Sequence, residues 1–134
     1  MINRMNRAVR QAGILTALAV AGAGLALAHH SYSAFDMTGD KTVSGVIKKF
    51  DWTNPHSWIW IDVKNEQGEV ETWGIEGMSP NYLARRGWTR TTLKPGDKVS
   101  ITFHPLKDGK GGSFMSGKRE NGETLGMTPP IATP

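Results

Sequence analysis

From Lys41 to Leu125 apolar side chains recur at alternate positions in short runs broken by turn residues, the pattern of half-buried β-strands. The first run predicts a strand over Thr42–Trp52, with Val43 and Ile47 on one face and Val46, Phe50 and Trp52 on the other. Gly45 inside it predicts a bulge or sharp bend. Thr53-Asn54-Pro55-His56 reads as a turn. Ser57–Val63 follows as a second strand, with Ile59, Ile61 and Val63 on one face and Trp58, Trp60 and Asp62 on the other. Asn65–Gly68 is a hairpin connection into a third strand, Glu69–Ile75, which turns Trp73 and Ile75 one way and Val70 and Thr72 the other.

The period then changes once. Ser79 can cap a helix, Pro80 suits its first position, and Gly87 can stop it in a left-handed conformation. After the Lys94–Asp97 turn, strands are predicted at Lys98–His104, Ser113–Lys118 and Glu123–Leu125. A glycine- and lysine-rich loop at 107–112 and an Asn121-Gly122 turn separate them. Three strands, a short helix and further strands is the order of an OB-type barrel. The predicted fold is therefore all-β, a small five- or six-stranded OB-like barrel with one short helix. The barrel domain spans 41–126, preceded by an arm at 29–40 and followed by a Pro-rich tail at 127–134 that is expected to be disordered.

The amino-terminal segment breaks this pattern. Arg4, Arg7 and Arg10 precede an apolar run from Ile14 to Leu27 that ends in Ala26-Leu27-Ala28. This is the layout of a cleavable secretory signal over residues 1–28, and the run is short for a membrane span. The expected location is the periplasm or the exterior, with no stable membrane insertion after cleavage. Cleavage removes three arginines and no acid, so the formal charge falls from +4 to +1. Such a balance lacks the basic footprint of nucleic-acid binding. The chain has no cysteine, so neither a disulfide framework nor a cysteine zinc site is available.

Several segments together resemble a known family. They are His29-His30-Ser31, Phe50-Asp51-Trp52-Thr53-Asn54-Pro55-His56-Ser57, Ser79-Pro80-Asn81 with Arg85-Arg86-Gly87-Trp88, Leu93-Lys94-Pro95-Gly96-Asp97 and Gly112-Ser113-Phe114. The pattern is similar to that of small exported proteins, mainly of proteobacteria, known only as a domain of unknown function. The resemblance implies export and a single small domain. It implies no catalytic residues.

Four histidines carry the candidate chemistry. Cleavage after Ala28 would make His29 the first residue, and its α-amine and imidazole could chelate one metal. A second imidazole, from His56 or His104, would complete a three-nitrogen site suited to copper(II). His30 is the weaker ligand, because neighbours in an extended arm point apart. A cut one residue earlier would place His30 third and still favour copper, or less readily nickel. Met37, Met78 and Met115 could serve copper(I). The plainer alternative is that His56 and His104 serve the turns and strand ends they occupy.

Trp58 and Trp60 offer a second candidate. The high average burial of tryptophan favours placing them inside a curled barrel. The alternative is an outward aromatic platform for a saccharide or a protein partner. No acid pair, nucleophile motif or phosphate loop is legible, so binding is expected and catalysis is not.

Overall fold

The computed structural model describes residues 33–126. The signal segment, His29, His30 and the tail at 127–134 lie outside the described residues. The elements are β1 (Lys41–Asp51), β2 (Trp58–Lys64), β3 (Val70–Glu76), α1 (Pro80–Ala84), β4 (Lys98–Pro105), β5 (Gly111–Arg119) and β6 (Thr124–Gly126). The sheet runs β3-β2-β1-β4-β5-β6, and a parallel β3–β5 pairing closes five of the strands into a barrel. The all-β, OB-like architecture expected from the pattern is the observed one, with β6 as an added edge strand.

Strand alternation builds the interior. Ile59 and Ile61 on β2, Ile75 on β3, and Ile101 and Phe103 on β4 are almost wholly buried. Trp73 lies 5.9 Å from Phe103, and Trp88 packs edge-on against Phe114 at 5.4 Å. Helix α1 covers this core with Leu83. Ser79 Oγ caps it by accepting from the Tyr82 amide at 3.3 Å, and Gly87 ends the turn at a φ of +83°.

Two local predictions are corrected. The register shift of β1 falls between Ile47 and Lys49, not at Gly45. The extra residue there reverses the alternation and turns Phe50 inward opposite Ile59, where it packs against the core. Gly45 serves a close approach instead, since a Cβ there would overlap the Asp62 carbonyl. Likewise Gly111 and Gly112 belong to β5 and not to the loop. A Cβ at Gly111 would overlap the Gly74 carbonyl, and one at Gly112 the His104 carbonyl and the Phe103 ring. These glycines let β5 approach both neighbours and close the barrel.

The described part of the arm is anchored. Phe35 is buried and bridges Leu106, and the Asp36 amide donates to the Pro105 carbonyl at 2.8 Å. Thr38 donates to the Asp36 carboxylate through its hydroxyl and its amide, which lowers that carboxyl below its usual range.

Candidate functional site, the outer face of β2 and β3

Alternation sends Ile59 and Ile61 into the core, so Trp58, Trp60 and Asp62 must face outward. The expected burial of the tryptophans inside the barrel is therefore overturned. Both are half-buried on the outer surface, with ring centroids 5.8 Å apart and planes 18° from parallel. The isoleucines are the better fit to a narrow interior, because β-branched side chains fill it without a polar N–H that needs a partner.

The neighbouring strands complete the face. Across the hairpin, Trp58 is paired with Glu76, Trp60 with Gly74 and Asp62 with Thr72. Gly74 has no side chain to stand against Trp60, and a Cβ there would lie 2.9 Å from the indole. On the other side, Asp51 of β1 is paired with Trp58 and accepts from Trp60 Nε1 at 2.9 Å. Two carboxylates, Asp51 and Glu76, thus bracket the indole pair. Each has a partner: Lys49 Nζ lies 2.7 Å from Asp51, and His56 Nδ1 contacts Glu76 Oε1. Thr72 donates to Asp62 at 2.6 Å and accepts from Lys48 at 3.0 Å. A cleft of about 270 Å³ lies beside Trp60, walled by Lys48, Lys49, Asp51 and Thr72.

The Lys49 ammonium, and after it the Trp60 indole N–H, hold the Asp51 carboxyl below its ordinary value of 3.8. A carboxyl depressed in the folded state stabilises above its unfolded value and loses that contribution as pH falls through its folded value. Tryptophan emission is therefore expected to change with a midpoint below 3.8 as the Asp51–Trp60 bond breaks. An Asp51→Asn variant should lack that step. A midpoint above 3.8, or an unchanged step in the variant, would contradict the assignment.

The sequence candidates separate as follows. His56, Trp58 and Trp60 come together on this face through the turn at 52–57 and the start of β2. His104 also faces outward, two strands beyond Glu76 through Ser113, but its Nδ1 is bonded to the Gly39 carbonyl at 2.8 Å, on the side of β1. Among the described residues no group of three or more His, Asp or Glu side chains could hold a metal ion. Met37 is exposed, and Met78 packs against the core. Asp51, Glu76 and Gly74 were not singled out as a group. The available signal was the hairpin: a turn centred on Gln67 sets Trp58 opposite Glu76 and Trp60 opposite Gly74.

The fold and this face together define an OB-type barrel with an aromatic β2–β3 surface, flanked by the β1–β2 and β4–β5 loops. OB barrels bind oligonucleotides and oligosaccharides on that surface and those loops. The family model for the family of unknown function DUF6152 matches residues 17–115, and the chain belongs to that family. No curated protein and no solved structure matches the chain. Among the described residues no helix is long and apolar enough to cross a membrane.

Proposed function

We propose that this chain is an exported, non-catalytic binding module whose β2–β3 face takes a neutral saccharide. The observation that carries the reading is the half-buried, near-parallel Trp58–Trp60 pair on the outer surface, bracketed by Asp51 and Glu76. Indole faces suit the apolar C–H face of a sugar ring, and carboxylates accept from its hydroxyls. Asp62 and Asp51 are paired with Lys48 and Lys49, and Glu76 is in contact with His56, so each carboxylate on the face already has a partner, which favours a polyol over an ionic ligand. The near-neutral balance after signal removal disfavours nucleic acid, the other ligand class of this barrel surface. Calorimetric titration of the exported protein with cellohexaose and chitohexaose tests the reading. Saturable binding of either supports it, and heats of dilution alone with both would overturn it.

Copper binding is a separate reading, favoured by the state of two histidines. A proton on Nδ1 of His56 would go to Glu76, and one on Nδ1 of His104 to the Gly39 carbonyl. Each Nε2 is then the bare nitrogen, as in metal-ligating histidines. Native mass spectrometry of the exported protein with one equivalent of copper(II) is expected to show a start at His29 and one retained ion. Retention equal to that of a His29→Ala control would end this reading.

A further inference from the structure

A second groove contains neither Trp58 nor Trp60. It encloses about 650 Å³ on the outer surface beside the part of β1 that pairs with β4 but not with β2. Strand β1 pairs with β4 over Lys41–Val46, but its pairing with β2 begins only at Val46. Lys41–Ser44 therefore keeps one backbone edge unpaired by any described strand. Such an edge is a template for an added extended chain.

The groove walls say what kind of chain. Val46 and Val70 line it, 40% and 61% exposed, and they are two of the three large apolar side chains exposed among the described residues. The charged walls are Lys64, Lys98, Lys118 and Arg119 against Asp62 and Glu120. Both acids are already engaged: Glu120 with Lys98 at 3.3 Å, and Asp62 with Thr72 and Lys48. Arg119 is bound by Asp97 and Glu123. Among the described residues Lys64 and Lys118 have no ion-pair partner. Two uncompensated cations beside an open edge attract a carboxylate-bearing chain and repel a basic one.

We propose that this groove docks an extended acidic segment of a partner protein. Its carboxylates meet Lys64 and Lys118, an apolar side chain lies between Val46 and Val70, and its backbone runs along the open edge of β1. The groove adjoins the tryptophan face at Asp62 but contains neither indole. A free bilayer would satisfy the charges but has no backbone to pair with the edge, and a second copy would bring lysine against lysine.

The probes are synthetic heptapeptides, Thr-Glu-Thr-Val-Thr-Glu-Thr and Thr-Lys-Thr-Val-Thr-Lys-Thr, which put two charges and a valine on one face of an extended chain, both acetylated and amidated, titrated into isotopically labelled full-length exported protein. The expected result is saturable shifts at Ser44, Val46 and Val70 with the acidic peptide only. A Lys64→Glu/Lys118→Glu variant should bind it at least about tenfold more weakly and acquire affinity for the basic peptide, which a misfolded variant could not do. Equal affinity for both peptides would overturn the proposal, as would no binding below about 1 mM. Lysine-dependent binding to phosphatidylglycerol vesicles without peptide binding would assign the groove to a membrane, and shifts that grow with protein concentration alone would assign it to self-association. Either would also overturn it.

Discussion

Replacing Trp58 and Trp60 with alanine is expected to abolish saccharide binding while leaving the barrel folded. Aromatic anchors at the centre of an interface cost more than about 2 kcal/mol when truncated, roughly thirtyfold in Kd. The two indoles are half-buried on the outside of β2, and the core beneath them is made by Ile59 and Ile61. Their loss therefore removes surface contacts and leaves the interior filled. Each single variant should weaken binding less than the pair, because the rings lie 5.8 Å apart and share one ligand surface. Gly74→Val should weaken binding without removing either indole, since its side chain would occupy the space Trp60 covers. The measurements are calorimetric affinity and a thermal melt on each variant. Undiminished binding by the double variant would show that the tryptophan face is not the ligand surface.

Phe103→Ala is expected to have the opposite profile, a large loss of stability at a position that no ligand reaches. Phe103 has no exposed surface, lies 5.9 Å from Trp73, and is paired across β4 and β5 with Phe114. Phenylalanine-to-alanine changes in such cores cost about 3–5 kcal/mol. That is a large part of the roughly 5–15 kcal/mol that holds a domain folded. The melting temperature should fall on the order of 15–30 °C for a domain of this size. The chain has no disulfide to absorb the loss, because it has no cysteine. A fall of only a few degrees in a calorimetric melt would mean that this centre of the barrel packs less tightly than the buried surface implies.

Much of the barrel was legible because strand alternation is a local signal. Trp73 and Ile75 against Val70 and Thr72 follow from spacing alone, and so do the cap at Ser79 and the stop at Gly87. What spacing does not carry is contact between strands distant in sequence. The bulge between Ile47 and Lys49 has no glycine to mark it, so the inward turn of Phe50 was invisible until β2 was placed beside it. Gly111 and Gly112 look like a flexible loop tip in isolation. Their role appears only when β5 is seen pressed against the Gly74 and His104 carbonyls. The candidate site divides in the same way. Trp58 and Trp60 stood out by alternation, yet their outward orientation depended on which of two apolar faces the barrel would enclose. Asp51 and Glu76 joined them only through cross-strand pairing. His56 and His104 look equivalent in sequence, each beside a proline. Their partners, Glu76 and the Gly39 carbonyl, place them on different sides of the face.

The central claim is that the Trp58–Trp60 face receives the ligand, and the indole N–H region of a nitrogen–proton correlation spectrum tests it most directly. The five tryptophans give five such signals, and buried Trp73 and Trp88 serve as internal controls. On titration with whichever hexasaccharide binds, the Trp58 and Trp60 signals are expected to shift saturably together while those of Trp73 and Trp88 stay in place. Saturable shifts elsewhere, with the Trp58 and Trp60 signals unmoved, would contradict the assignment of the binding face.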